Sequence, residues 1–202
     1  MKVIFSNKRL TSSNIQSYIA EMYPNLSIKK EESKIISSIP ALLQKEYGED
    51  NDCTLTSLTA ILMFLTRETN ANKIYSIVEK IAKQYGYNGK IGTNPFFMKK
   101  IFDNVLKSLS IKKISKARYL KCGGYNFTLI KQLINNRTPV ILSLNTDGRN
   151  YYENHSVLII GYKEFLLSDN KLKRFLVVQD NWSKEKSFID YDKLSVISSI
   201  NY

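Results

Sequence analysis

The sequence predicts an α+β fold, because its helix signals and its strand signals are concentrated in different halves of the chain. Of the 202 residues, 43% are hydrophobic and 24% are charged, which is typical of a folded protein. No internal repeat or low-complexity linker divides the chain. We therefore expect a single domain spanning residues 1–202, with an N-terminal helical extension (1–39), a helical lobe (40–110) and a β-rich lobe (111–202).

Apolar residues at helical spacing fill the first half. Thr11, Ser12 and Ser13 offer N-caps for a helix that reaches Met22. Three further apolar stripes follow, and they are predicted to form helices after Asp52, over about 71–87 and from Pro95 onwards, where proline is tolerated in a first helical turn.

Short runs rich in β-branched residues characterise the second half. After a short helix over 128–135, they are VILSL (140–144), SVLIIGY (156–162), RFLVVQ (174–179) and SFID (187–190). The segments 161–174 and 180–186 are expected to connect strands. Together these signals predict a helical lobe packed against a twisted antiparallel sheet, with the boundary between the lobes near residues 110–125.

The formal net charge of +12 raises the question of nucleic-acid binding. However, the basic residues are spread along the chain without zinc-finger spacing or an RNA-binding signature, which favours a solvated basic surface over a specific nucleic-acid partner. The sequence does not exclude an anionic partner such as a cell-surface polymer. The sequence lacks a signal-peptide pattern and a transmembrane stretch, so a cytoplasmic location is expected unless a leader has been removed.

Cys53 is the first candidate for chemistry. It follows Asn51 and Asp52, two good cap residues, at the start of an apolar-striped helix. A thiol there lies near the positive end of the helix dipole, which favours the reactive thiolate. The alternative is a structural cysteine at a helix start. The second cysteine, Cys122, has no acid or histidine signature around it, and two cysteines imply no disulfide framework.

His155 is the only histidine, so any histidine-dependent chemistry must use it. A single histidine is poor material for a zinc site, and we expect neither a metal nor an organic cofactor. Asp180 ends a predicted buried strand, where a carboxylate needs a hydrogen-bonding partner. An imidazole held through its Nδ1–H would supply that partner and fix the tautomer that a general base needs. A surface histidine and an ordinary Asp-Asn turn are the alternatives.

The segments NDCTLTSLTAILMFL, NHSVLIIGY and VVQDNW, in that order, resemble the nucleophile helix, the histidine strand and the third-residue segment of the papain-like cysteine peptidases. The resemblance covers roughly residues 40–190. It implies a papain-like fold with Cys53 as nucleophile, His155 as general base, Asp180 as the residue that orients the imidazole, and Trp182 as a shield of the His–Asp contact from water.

The departures from the plant and lysosomal enzymes indicate a particular branch. The Cys-Gly-Ser-Cys-Trp type of signature is absent, Asp replaces Asn, and His155 follows Cys53 by only about 100 residues. These features resemble the compact bacterial C39-like peptidases. The oxyanion-hole glutamine is expected about six residues before the cysteine, where Tyr47 stands; Gln44 is the nearest glutamine and the candidate for that role.

The sequence therefore predicts a cysteine hydrolase, foremost a peptidase or amidase that acts through a thioester acyl-enzyme on a peptide or other amide substrate. An acyltransferase or transglutaminase-like enzyme with the same residues is the closest alternative. A catalytically silent papain-fold binding module and a basic nucleic-acid binder are the others. The sequence does not indicate an oligomeric state.

Overall fold

The computed structural model describes residues 8–47, 51–111, 118–120, 127–144, 151–152, 154–194 and 196–201. Within them the helices are α1 (Ile15–Met22), α2 (Cys53–Thr66), α3 (Ala71–Lys83), α4 (Met98–Ser108) and α5 (Phe127–Asn135). The strands are β1 (Leu10–Thr11), β2 (Ile28–Ile35), β3 (Arg118–Leu120), β4 (Val140–Leu144), β5 (Ser156–Leu167), β6 (Leu172–Gln179), β7 (Ser187–Asp190) and β8 (Val196–Asn201). Helices dominate the first half and strands the second, so the predicted α+β class is confirmed.

The strands form one antiparallel sheet in the order β1-β7-β6-β5-β4-β8-β3. Strand β5 is long enough to pair with two strands along the same edge: β4 covers its first residues and β2 covers the rest. The backbone of β2 passes so close to β5 that a Cβ at Gly161 would lie 2.3 Å from the Lys34 carbonyl oxygen, which is why glycine occupies this position.

Helix α2 is buried on nearly every side and packs against α3, β4 and β5. A helix that is apolar around most of its circumference belongs in a protein core. Because Cys53 is its first residue, the core fixes the nucleophile candidate against the sheet. No helix among the described residues is long and apolar enough to cross a membrane.

The predicted connection over 161–174 is wrong in its extent. Strand β5 continues to Leu167 and β6 begins at Leu172, leaving only a tight turn between them. The charged residues that interrupt the apolar pattern are paired across the surface: Lys163 with Glu31, and Glu164 with Lys131. Cross-strand ion pairs therefore accompany the buried Phe165 and Leu167 in this part of the strand.

The N-terminal extension contains strands as well as the expected helix. Strand β2 has the sequence IKKEESKI and is exposed along its length, so it lacks the alternation that identifies a half-buried strand. Strand β1 pairs with β7 at the sheet edge. The expected lobe boundary near 110–125 falls largely outside the described residues, apart from β3.

Candidate active site

Cys53 is half-buried at the first position of α2. The side chain of Asp52 was expected to cap this helix, but it makes no capping hydrogen bond. Its buried carboxylate instead accepts hydrogen bonds from the hydroxyl groups of Tyr75 and Tyr87. The Asp52 side chain therefore ties the segment before Cys53 to the region of α3, while its backbone carbonyl accepts from the Thr56 N–H within α2.

His155 lies directly before β5, and only 5% of its surface is exposed. Asn154 precedes it with φ 44°, a left-handed conformation that asparagine tolerates better than most residues. The imidazole Nε2 lies 2.7 Å from the backbone carbonyl oxygen of Asp180. Since a carbonyl can only accept, Nε2 carries the hydrogen and Nδ1 is the nitrogen left to face Cys53.

The predicted bond between Nδ1 and the Asp180 carboxylate is therefore wrong in both of the atoms that it joins. His155 and Asp180 are brought together, but through Nε2 and the backbone carbonyl. The carboxylate is turned away and is fully buried. Its acceptor positions are taken by five donors, which are Arg9 Nε, the Tyr152 and Ser187 hydroxyls, and the backbone N–H groups of Trp182 and Ser183.

These donors also determine the ionisation of Asp180. Burial raises the pKa of this carboxyl, but the hydrogen bonds from Arg9, Ser187 and Tyr152, together with the charge of Arg9, outweigh burial and hold the pKa below its usual range. Asp180 is thus an ionised anchor that fixes its own backbone, and hence the carbonyl that meets His155.

The thiol of Cys53 contacts the start of β5. The backbone N–H of Ser156 donates to Sγ over 3.3 Å. Burial raises the pKa of the thiol, yet the hydrogen bond and charge of His155 and the bonds from Ser156 outweigh it and lower that pKa below its ordinary value. Cys53 and His155 are therefore a chemically coupled pair.

Asn181 connects the two sides of the site. Its Nδ2 donates to the Cys53 carbonyl over 3.1 Å, to the Ser57 hydroxyl over 2.8 Å and to the Ser156 carbonyl over 3.4 Å. Its φ of 62° lets the chain turn sharply after Asp180. One amide group thus joins the nucleophile helix, the histidine strand and the loop after β6.

Gln44 and Trp182 lie at the site in different ways. Gln44 is buried in a 3₁₀ helix (Gln44–Glu46), and its backbone N–H donates to the Asn181 carbonyl over 2.8 Å. Trp182 is 44% exposed, and its ring lies 4.2 Å from the His155 ring, centre to centre. Tyr152 lies on the imidazole as well, with ring centres 5.7 Å apart. The Trp182 ring therefore lies between the imidazole and solvent and is not a core residue.

A cavity of about 270 Å³ opens over the thiol and the imidazole. Apart from His155, its described lining carries no charged side chain; it comprises Asn51, Cys53, Thr54, Ile91, Gly92, Thr93, Pro95, Ser143, Leu144, Asn154 and Ser156. Among the described residues there is no cluster of His, Cys, Asp and Glu side chains that could hold a metal ion. Cys122 lies outside the described residues.

Sequence reasoning missed several residues of the site. Arg9 gave no signal, because it is 171 residues from Asp180. Tyr152 and Ser156 flank His155 and could have been identified as candidates by that proximity alone. Asn181 was considered only as part of a turn, although an asparagine that follows a buried acid at a strand end is suited to a left-handed bridging position.

Comparison with known proteins identifies the family of the chain. Residues 36–197 match the model of the Peptidase_C39 like family. A comparison with curated proteins gave no match. The family match spans most of the chain and contains Cys53, His155 and Asp180, and the fold is consistent with it. The chain therefore belongs to the Peptidase_C39 like family, a papain-like family of the cysteine-peptidase type.

Proposed function

We propose that the protein is a cysteine hydrolase that cleaves an amide bond, foremost a peptide bond, through a thioester on Cys53. The observation that carries the proposal is the coupling of Cys53 to His155. The Nε2 bond to Asp180 leaves Nδ1 for the thiol, and the pKa of that thiol lies below its ordinary value.

The reaction follows from this geometry. Nδ1 of His155 takes the thiol proton, and the thiolate of Cys53 attacks the substrate carbonyl carbon. The imidazolium then returns the proton from Nδ1 to the departing amine as the C–N bond breaks, leaving the thioester. Nδ1 next takes a proton from water, whose oxygen attacks the thioester carbonyl, and the same proton goes back to the Cys53 sulfur as the acid is released. The Nε2–H bond persists throughout, so the ring keeps its orientation.

The negative charge on the substrate oxygen needs donors during both steps. The backbone N–H of Cys53, at the start of a helix, is one proposed donor. The side chain of Gln44 is the other. The position of Gln44 supports this role. Its backbone N–H donates to the Asn181 carbonyl, and the Asn181 side-chain amide donates to the Cys53 carbonyl.

The cavity suggests what part of a substrate is bound. Its lining is uncharged beside His155, and Ile91, which is 83% exposed, forms part of it together with Pro95. We expect an uncharged segment of a peptide to lie here, because a charged side chain would be desolvated without a described partner.

The function is tested with an activated acyl donor, the 4-nitrophenyl ester of an N-acylated amino acid. We expect a burst of nitrophenolate stoichiometric with the protein and an acyl adduct on Cys53 by mass spectrometry. Cys53→Ala should lose both, and the matched variant Cys122→Ala should keep both. A burst that survives in Cys53→Ala contradicts the proposal. Adding an amine acceptor separates hydrolysis from acyl transfer, because a transferase would form the amide in preference to the acid.

A further inference from the structure

The family match begins at residue 36, yet a residue far before it contacts the site. Arg9 Nε lies 2.6 Å from Oδ2 of Asp180. The same guanidinium donates through Nη2 to the Glu185 carbonyl over 3.0 Å and lies 3.6 Å, through Nη1, from the Glu185 carboxylate. Arg9 thus spans the loop that runs from Asp180 to Glu185 and holds both of its ends.

The backbone around Arg9 is fixed independently of this loop. Leu10 pairs with Phe188 in the sheet, and the Asn14 side chain donates to the Arg9 carbonyl over 3.0 Å. The Arg9 side chain is 21% exposed, so its ion pair with the buried Asp180 is screened less than a surface pair. An anchored, partly buried guanidinium is suited to hold a loop in one arrangement.

We propose that Arg9 is a positioning residue for the reaction. By neutralising the buried Asp180 carboxylate, it keeps the Asp180 backbone carbonyl aimed at Nε2 of His155 and so keeps Nδ1 aimed at Cys53. The inference rests on the proposed function of Cys53 and His155. It extends the active site to the N-terminal segment outside the family match.

The chain of contacts gives a definite expectation for Arg9→Gln. Glutamine retains a donor but has no charge, so the buried carboxylate loses its cation and the loop relaxes. His155 then loses its fixed tautomer, and the Cys53 thiol is less ionised near neutral pH. Misplacement of a reacting group by about 1 Å can reduce a rate roughly a hundredfold, and we expect a tenfold or greater loss in the rate of Cys53 alkylation.

The experiment compares the pH profile of Cys53 alkylation by iodoacetamide in the unchanged protein, Arg9→Gln, Arg9→Lys and Glu31→Gln. Glu31→Gln is the matched control, because it breaks an ion pair between the same N-terminal segment and Lys163, away from Asp180. We expect the alkylation profile of Arg9→Gln to move to higher pH. The alkylation rate of Arg9→Lys should lie between those of Arg9→Gln and the unchanged protein, and the profile of Glu31→Gln should match that of the unchanged protein. Nitrogen-15 NMR of the single histidine should show loss of the Nε2–H tautomer in Arg9→Gln alone.

The outcomes separate this inference from the proposed function. An unreactive Cys53 in the unchanged protein overturns both. A reactive Cys53 whose profile and histidine tautomer are unaltered by Arg9→Gln overturns the role of Arg9 alone, and so does a faster reaction, which would make Arg9 a restraint. If Arg9→Gln does not fold, Arg9→Lys is decisive: an alkylation rate equal to that of Glu31→Gln overturns the inference.

Discussion

Two fully buried carboxylates, those of Asp52 and Asp180, lie beside Cys53 and His155, and they are held in different ways. Asp52 precedes Cys53 on the helical side and accepts from Tyr75 and Tyr87, both within 35 residues along the chain. Asp180 lies on the sheet side, and its donors include Arg9, 171 residues away. Both acids thus have partners close to them in the chain, but the sheet side also depends on the contact of Arg9, which joins the first residues of the chain to the last quarter.

The difference also concerns what each acid controls. The Asp52 backbone carbonyl accepts from Thr56 inside the helix, so Asp52 fixes the start of α2. The Asp180 backbone carbonyl meets His155, so Asp180 fixes the imidazole. We therefore expect changes around Asp52 to reduce the free energy of unfolding first, and changes around Asp180 to alter thiol chemistry as well.

The largest effect is expected for Asp180→Ala. It removes the carboxylate that accepts from Arg9 Nε and from the buried Tyr152 and Ser187 hydroxyls, and removing one partner of a buried ion pair costs about 3–5 kcal/mol. Urea unfolding measures this loss, and alkylation at Cys53 should slow in the protein that remains folded. Asp180→Asn retains an oxygen for the Trp182 and Ser183 N–H groups and should lose less. Equal losses in the two variants would mean that these bonds contribute little.

Asn181→Ala is expected to have the next largest effect. It removes the two N–H donors that Asn181 shares among three acceptors on the two sides of the site, worth roughly 1 kcal/mol each, or about 2 kcal/mol together. Asn170→Ala is the matched control, because Asn170 has a similar φ of 67° in the exposed turn after β5. The backbone penalty is common to both variants, and the bond that Asn170 accepts from Lys29 is exposed and contributes little, so the difference in unfolding free energy reports the bridging bonds. Equal destabilisation would contradict the bridging role.

A pair of tyrosine variants compares the two acids directly. Tyr87→Phe and Tyr152→Phe each remove one hydroxyl from a buried carboxylate, and a hydrogen bond to a charged group is worth about 2 kcal/mol. We expect similar losses of unfolding free energy. Only Tyr152→Phe should shift the pH profile of Cys53 alkylation, since only Asp180 meets His155. Identical shifts would remove the distinction between the two sides.

The smallest effect is a change in acid sensitivity. Because the pKa of Asp180 is lower in the folded than in the unfolded chain, its stabilisation is present above the ordinary Asp pKa of about 3.9 and is lost as pH falls through the lower folded value. Arg9→Gln should raise the folded pKa and flatten the dependence of unfolding free energy on pH in this acid range. The control is Arg67→Gln, which makes the same charge change at the far end of α2 and should leave the pH dependence of the unfolding free energy unchanged. An unaltered pH dependence in Arg9→Gln would show that Arg9 does not set the ionisation of Asp180.

Elements that depend on residues close together in the chain were predicted from the sequence, whereas elements that depend on distant partners were not. The start of α2 at Cys53 was predicted from apolar residues at helical spacing, and the strand after His155 was predicted from its short run of β-branched residues. Strand β2 was not, because its residues are charged and exposed and its partner β5 lies more than 100 residues away.

The site shows the same division. That Asp180 approaches His155 was predictable from the acid at a strand end, but not that its backbone makes the contact. The direction of the carboxylate depends on Arg9, Tyr152 and Ser187, which no local pattern connects. Long-range contacts of single polar side chains carry no periodicity and are therefore absent from a reading of the sequence.

The most direct test of the account is the pH profile of alkylation at Cys53 in the unchanged protein and in His155→Ala, with the labelled peptide identified by mass spectrometry. His155 lowers the pKa of the thiol against the opposing effect of burial. In the unchanged protein we expect reaction to persist well below the ordinary thiol pKa of about 8.5. In His155→Ala burial is opposed only by Ser156 and the helix start, so the midpoint should move up towards that value. Two profiles that superimpose would show that His155 does not act on Cys53 and would contradict the proposed pair.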